Sequence, residues 1–113
     1  MKVNLIYVTV GSKDEAKMIG RSLVESRLAA CVNIIDNMNA IYRWEGELQE
    51  DQEVILIAKT AETRVPKVVE RVKKLHTYDC PCIVSLPLTG GNQSFLDWIV
   101  DEVTQTNLIE KPV

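Results

Sequence analysis

The sequence predicts an α+β domain of the ferredoxin-like class, in which two helices cover one face of a four-stranded antiparallel sheet. Three observations predict this fold. β-branched and aromatic residues concentrate in runs of strand length, apolar residues between the runs recur at helical spacing, and the order is strand-helix-strand, repeated once. A long hairpin joins the second and third strands, and a further helix follows the fourth strand.

The first strand and the first helix follow from two adjoining patterns. Residues Lys2–Val10 are apolar on both faces in the middle, which is typical of a strand in the centre of a sheet. Ser12 and Glu15 have the spacing of a capping box, so a helix begins after Ser12 and continues to about Arg27. Gly20 lies on the apolar stripe of this helix, and we expect it to mark a close approach of helix to sheet.

A long hairpin occupies the middle of the chain. Ala29–Ile35 and Ala40–Trp44 have strand composition, and the turn-favouring residues between them, Asp36–Asn39, predict a bulge or kink. Gly46 supplies the turn at the tip of the hairpin. Val54–Lys59 is the third strand, and its first five residues are all apolar.

The second half of the chain repeats the strand-helix-strand order. Thr63 is the predicted cap of the second helix, and apolar residues at helical spacing continue to a helix end at His76. Cys82–Leu86 is the fourth strand. A C-terminal helix runs from Gln93 to about Glu102, and residues 104–113, which have weak periodicity, are expected to form a loosely attached tail.

The composition fits one globular domain that spans residues 1–113. The chain has 13 Lys and Arg against 16 Asp and Glu, so we expect no basic surface for nucleic acid. No apolar run is long enough to cross a membrane, and we expect no signal peptide. Three cysteines, an odd number, fit the reducing cytoplasm better than a disulfide framework.

The apolar run of the third strand predicts self-association. A strand with one face in water alternates apolar and polar residues, whereas a strand that is apolar throughout must be covered on both faces. Helices cover only one face of the predicted sheet, and soluble monomers avoid large exposed apolar patches. We therefore expect a homo-oligomer that buries sheet faces or hairpin edges between its subunits.

Four motifs stand in register along the chain: residues 25–33 (ESRLAACVN), 42–46 (YRWEG), 53–60 (EVILIAKT) and 75–81 (LHTYDCP). Together they resemble the CutA family of divalent-cation tolerance proteins, from Val3 to about Val103. The resemblance implies a tight homotrimer similar to that of PII-type signalling proteins, a cytoplasmic location, and tolerance of copper and other divalent metal ions. It implies no enzymatic reaction, and the sequence has no nucleotide-binding or hydrolase motif.

The resemblance also implies a copper site at Cys31 and His76. Thiolate and imidazole suit copper and zinc, but two ligands are too few for a closed site, and a neighbouring subunit would supply a third. Some relatives carry a further cysteine on the first strand, where this chain has Val8, so we expect weak binding that folding does not require. Two alternatives stay open: Cys31 as a small buried apolar residue, and His76 as a partner of the helix dipole.

Two further groups of residues have side chains that bind metals in other proteins. Cys80 and Cys82 flank Pro81 at the start of the fourth strand, where the thiols bind a metal, act in redox chemistry or simply pack at a strand edge. Carboxylates cluster near the hairpin tip, where they bind a hard cation or form a solvated turn. These carboxylates belong to Glu45, Glu47, Glu50, Asp51 and Glu53.

Polar and amphipathic residues at the ends of strands and helices define an alternative site. In the family that this chain resembles, such positions converge on a cleft between subunits. A buried Lys59 would need a carboxylate partner there. Glu53 lies on the same face of the strand as Lys59. The cleft predicts a PII-like regulatory module that binds a small ligand or a partner protein, and a purely structural platform is a third alternative. The cleft residues are Asn33, Trp44, Glu53, Lys59 and Tyr78.

Overall fold

The order of elements is βαββαβ followed by a C-terminal helix, which confirms the predicted order. The structure is a computed structural model that describes residues 2–104, so the predicted tail lies outside the described residues apart from Thr104. The strands are β1 (Val3–Val10), β2 (Cys31–Trp44), β3 (Glu47–Ala61) and β4 (Ile83–Pro87). The helices are α1 (Lys13–Glu25), α2 (Val65–Leu75) and α3 (Gln93–Thr104). A 3-10 turn at Glu62–Arg64 precedes α2. Within residues 2–104, no helix is long and apolar enough to span a membrane.

The four strands form one antiparallel sheet in the order β2-β3-β1-β4. β1 and β3 are therefore the central strands, and their pairing runs from Val3 opposite Ala61 to Val10 opposite Val54. Because side chains alternate along a strand, the even-numbered residues of β1 and β3 point to one face and the odd-numbered residues to the other.

The main core lies between the even-numbered face and the helices α1 and α2. Ile6, Val8 and Leu56 of the sheet are fully buried there, and Ile19 and Leu23 of α1 pack in the same cluster. Fully burying a side chain of this size stabilises the fold by roughly 1.5–3 kcal/mol. α2 completes the core with Val68 and Val72.

α3 packs against the opposite face of the sheet, a position that the sequence patterns did not assign. Val3 and Ala61 are an odd-numbered pair, and they are buried in one cluster with Ile99 and Val103 of α3. Two helices therefore cover one face of the sheet, as predicted, and the third covers only the end of the other face.

The hairpin is longer than predicted, because β3 begins at Glu47 rather than at Val54. Residues 47–53 pair with β2 and form a projecting arm in which most side chains are exposed. With water on both sides, this arm lacks the apolar alternation that marks a half-buried strand, so its sequence did not reveal it. The predicted bulge is confirmed as a register shift between Ile35 and Met38.

The predicted cap of α2, Thr63, was wrong, because Thr63 lies within the preceding 3-10 turn. The helix begins at Val65 with Arg64 at its cap position, and Arg64 already has helical backbone angles. A side-chain cap needs a residue with extended backbone angles at this position. The preceding 3-10 turn ends at Arg64, so the residue at the cap position is already helical. The predicted end of the helix at His76 is confirmed, since its N–H donates to the carbonyl of Val72 at 2.8 Å.

Gly20 lies where α1 comes closest to the sheet, as predicted. A β-carbon added to Gly20 would lie 2.7 Å from Cγ2 of Val32, and a β-branched side chain has little freedom to move away. We expect Gly20→Ala to lower the free energy of unfolding by about 1 kcal/mol, because overpacking costs about 1–3 kcal/mol and the helix propensity of Ala returns about 1 kcal/mol.

The control for this prediction is a double-mutant cycle with Val32→Ala. In that background the added methyl group has room, so Gly20→Ala should become stabilising. Urea unfolding of the two single variants and the double variant measures both effects. If Gly20→Ala lowers the free energy of unfolding equally in the wild-type and Val32→Ala backgrounds, the contact with Val32 is not the cause of the destabilisation.

Candidate functional site

The odd-numbered face of the sheet, beyond α3, is a continuous apolar surface. Backbone pairing joins its residues across all four strands, from Ile35 opposite Ile55 to Tyr7 opposite Val84. Ile35, Val84 and Leu86 are 50%, 50% and 48% exposed when residues 2–104 stand alone. A contiguous exposed patch of this kind marks an interaction surface. We call this surface the open face; it consists of Leu5, Tyr7, Ile35, Ile55, Ile57, Val84 and Leu86.

His76 lies at the end of α2 with its side chain fully buried. Nε2 of the ring is 2.7 Å from the carbonyl oxygen of Thr9, and Nδ1 is 3.0 Å from the backbone nitrogen of Tyr78. A carbonyl only accepts and a backbone N–H only donates, so the neutral ring carries its proton on Nε2. Both ring nitrogens are therefore engaged, and the ring ties the residues after α2 to the end of β1.

Glu15 holds the same segment from the first turn of α1. Its carboxylate accepts hydrogen bonds from the backbone N–H of Thr77 at 3.0 Å and from the Thr77 hydroxyl at 3.1 Å. The Ser12 hydroxyl caps α1 by accepting from the Glu15 N–H at 3.1 Å, so that half of the predicted capping box is confirmed. In the other half the carboxylate turns to Thr77, a partner far away in sequence that no local pattern could indicate.

Tyr78 adds a phenol beside His76, and the centroids of the two rings are 4.6 Å apart. The Tyr78 hydroxyl donates to Oε2 of Glu53 at 3.0 Å. A β-carbon at Gly11 would lie 3.2 Å from this hydroxyl, so glycine leaves room for the phenol. Partial burial, followed by the hydrogen bond to Glu53, raises the pKa of Tyr78 from 10.0 to about 12.

The raised pKa of Tyr78 predicts a loss of stability at alkaline pH. The folded-state pKa is above the unfolded-state value, so the stabilisation is fully present below about pH 10 and is lost as the pH rises towards about 12. Tyr78 is 40% exposed, and solvent screening reduces the expected contribution to about 1 kcal/mol or less.

Tyr78→Phe tests this prediction, because phenylalanine keeps the ring and removes the ionising group. We expect wild type to lose more stability than the variant between about pH 9 and about pH 11. Urea unfolding at the two pH values measures the difference. The same loss in both proteins would assign the pH dependence to other groups.

Cys31 and His76, the predicted copper ligands, lie apart within one chain. Cys31 is opposite Lys59, which is opposite Leu5, whereas the His76 ring contacts the backbone of Thr9. Four residues along β1 and two strands across correspond to roughly 17 Å. No group of three or more His, Cys, Asp or Glu side chains in the described part of the chain is arranged to hold a metal ion. One chain alone therefore does not fit a copper site built from these two residues.

Within one chain the predicted cleft residues do not form a single cleft. Glu53 meets Tyr78, whereas the Nζ atom of Lys59 lies 5.4 Å from the ring centroid of Phe95 on α3. Asn33 is exposed opposite Ile57, at the edge of the open face. The remaining cleft residue, Trp44, is 55% exposed at the hairpin tip. Only an assembly of several subunits could bring all five residues to one cleft.

This chain is similar to known proteins over most of its length. A family model described as CutA1 divalent ion tolerance protein matches residues 4–102. The divalent-cation tolerance protein CutA of Thermus thermophilus is 50% identical over 95 residues, covering 84% of this chain and 92% of that protein. That of Archaeoglobus fulgidus is 40% identical, with coverages of 88% and 97%. The chloroplastic CutA protein of Arabidopsis thaliana is 40% identical, and there the chain spans 52% of the relative's length.

Solved structures of similar proteins have the same fold. A CutA1 structure from Thermus thermophilus has a TM-score of 0.86 and 48% identity, and covers 88% of this chain and 97% of its own. A CutA1 structure from Oryza sativa has a TM-score of 0.89 and 38% identity, with coverages of 93% and 96%. The family match extends over most of the chain and agrees with the fold. The chain therefore belongs to the CutA1 divalent ion tolerance family.

Proposed function

We propose that the chain acts as a homotrimer in divalent-cation tolerance, binds copper or another divalent cation weakly, and catalyses no reaction. Membership of a family named for divalent ion tolerance supports the general role. The observation that carries the proposal is the open face, because an apolar surface across all four strands needs a cover, and a second copy of the chain presents a matching one. The number of three subunits rests on the resemblance to trimeric CutA and PII-type proteins.

Metal binding is assigned to the assembly rather than to one chain. Cys31 lies opposite Lys59 on the same side of the sheet as the open face, so a neighbouring subunit can supply further ligands there. A cation on Nδ1 of His76 would have to displace the Tyr78 N–H, and the buried ring would have to become accessible. Both requirements are consistent with weak binding. Thiolate and imidazole favour copper and zinc over hard cations.

Calorimetric titration of the purified oligomer with Cu(II) and Zn(II) tests the metal part of the proposal. We expect weak, saturable binding that Cys31→Ser and His76→Gln each reduce at least about 10-fold. The matched control is Met18→Leu, which removes an exposed sulfur atom from α1. The proposal fails if neither metal binds saturably, or if all three variants bind like wild type.

A second candidate function is a regulatory module that binds a small ligand at a cleft between subunits. The observation that favours it is the group of polar side chains around Tyr78, whose hydroxyl bridges to Glu53 while Glu15 and His76 hold the adjoining backbone. If no metal binds, a thermal-shift screen of small anions and nucleotides against the oligomer is the next test. Lys59 of a neighbouring subunit would complete this cleft, so Lys59→Met should abolish any shift found, and an unchanged shift would argue against the cleft.

The cytoplasm is the proposed location, because three free cysteines suit a reducing compartment. Locations named for similar proteins differ: two plant relatives are described as chloroplastic and one solved structure as periplasmic. Fractionation of the source cells tests the proposal, and recovery of the protein outside the cytoplasm would overturn it.

A further inference from the structure

Cys80, Pro81 and Cys82 form a short segment between α2 and β4 that neither the core nor the proposed site uses. Both cysteines are exposed and free. They are absent from the two buried clusters of the described residues. Cysteine is among the residue types most often buried, so two exposed thiols separated by one residue need a reason other than packing.

The backbone of this segment is restrained at both thiols. A residue before proline is confined to extended conformations, so Pro81 restricts Cys80. Cys82 is fixed to the sheet, because its carbonyl accepts the backbone N–H of Thr9 at 3.3 Å, one residue beyond the last β1–β4 pair. The chain bends at Cys80 and joins the strand only at Ile83, so the two thiols lie on a short connection that proline restrains and that the sheet anchors at Cys82.

This backbone places the two thiols within reach of one metal ion. Residues two apart in a chain have Cα atoms at most roughly 7 Å apart, even where the backbone is fully extended. A metal ion between two sulfur atoms, with bonds of about 2.3 Å, spans about 4.6 Å. With the Cα atoms this close, rotation about the Cα–Cβ bonds of Cys80 and Cys82 can set their sulfur atoms about 4.6 Å apart without moving the backbone.

We propose that Cys80 and Cys82 form a second metal site, a two-thiolate site for a soft monovalent cation of the Cu(I) class. Soft thiolate ligands select Cu(I) over hard cations such as Mg²⁺ and Ca²⁺. Cu(I) is stable with two ligands in a line, so a pair of thiols suffices where a tetrahedral zinc site would need four donors. Two sulfur–copper bonds form, both thiols release their protons to solvent, and no electron is transferred.

The location of the pair gives the site its properties. In a single chain both side chains are exposed, and Cys82 lies on the side of the open face, next to Val84; at the rim of that face a bound cation can exchange with other thiols in solution by ligand substitution. Asp79 is next to Cys80, and the chain has a net charge of −3, so the surroundings attract a cation. The site uses neither Cys31 nor His76, and it goes beyond the divalent-cation role proposed above. Failure of that proposal would leave this one standing.

The test is anaerobic titration of the intact oligomer with Cu(I) in competition with a chromogenic Cu(I) chelator. We expect one Cu(I) per chain with a thiolate-to-metal charge-transfer band in the ultraviolet. Cys80→Ser and Cys82→Ser should each weaken binding by at least about 100-fold, since losing a ligand costs more than losing a residue that only supports one. The matched control Asp79→Asn, which removes the neighbouring carboxylate, should keep the stoichiometry and the band.

Alkylation of the wild-type protein provides a second measurement that does not depend on variants. With one equivalent of Cu(I), mass spectrometry should find Cys80 and Cys82 protected from iodoacetamide and both labelled when the metal is omitted. The proposal is overturned if Cu(I) protects neither thiol, if the double serine variant binds Cu(I) as tightly as wild type, or if Asp79→Asn abolishes binding as completely as Cys80→Ser.

Discussion

Ile57→Glu is expected to convert the proposed trimer into folded monomers. Ile57 belongs to the open face, where it is opposite Tyr7 on one side and Asn33 on the other. Between subunits, a carboxylate at this position would be an unpaired buried charge, which costs several kcal/mol. In a single chain the same position is partly exposed, so the glutamate can reach water and the fold should survive.

The adjacent residue, Leu56, provides the matched control for this prediction. Leu56 is 0% exposed and faces α1 and α2 in the core. Leu56→Ala should lower the free energy of unfolding by about 2–5 kcal/mol and should leave the surface that contacts other subunits unchanged. Sedimentation measures the assembly, and circular dichroism with urea unfolding at fixed protein concentration measures the fold.

The two neighbours are therefore expected to give opposite results. Ile57→Glu should lose assembly and keep its secondary structure, whereas Leu56→Ala should keep assembly and lose stability. An Ile57→Glu protein that sediments like wild type would remove the open face from the subunit interface. An Ile57→Glu protein without secondary structure would show that this side of the sheet is part of the core.

His76→Ala is expected to lower the free energy of unfolding by about 2–4 kcal/mol, even without metal. The substitution leaves a cavity where the buried ring was and removes the partners of the Thr9 carbonyl and the Tyr78 N–H. An unpaired buried polar group costs about 1–3 kcal/mol. Urea unfolding in the presence of a chelator measures this effect separately from metal binding.

His76→Gln is the control, since its amide N–H can still donate to the Thr9 carbonyl. We expect it to cost less than His76→Ala, because it fills more of the space and retains one of the two hydrogen bonds. A cost below about 0.5 kcal/mol for His76→Ala, which is usual for surface substitutions, would contradict the role of the ring in holding this segment. If the predicted cost is found, loss of metal binding in His76→Ala alone does not identify a ligand.

Local patterns were sufficient to predict most of the fold. The period of two in β1, the helical period in α1 and the break at Asp36–Asn39 each depend on neighbouring residues, and each was confirmed. Gly20 was also predicted from its place on the stripe of α1. The errors lie where the local signal is absent: the start of β3 in a solvated arm, and the start of α2 after a 3-10 turn.

The candidate site was less predictable, because its contacts join residues far apart in sequence. Glu15 was assigned to the cap of α1, yet its carboxylate bonds Thr77. His76 was assigned a role at the helix end, and only the structure reveals that its ring bridges Thr9 and Tyr78. Lys59 was expected to need Glu53 as its partner, but six residues along β3 separate the two by roughly 20 Å.

The central claim is that the open face is buried between three copies of the chain. Sedimentation equilibrium of the wild-type protein across a range of concentrations tests it most directly. The claim predicts a single species with the mass of three chains that does not dissociate at low micromolar concentration. A species with the mass of one chain at every concentration would contradict it.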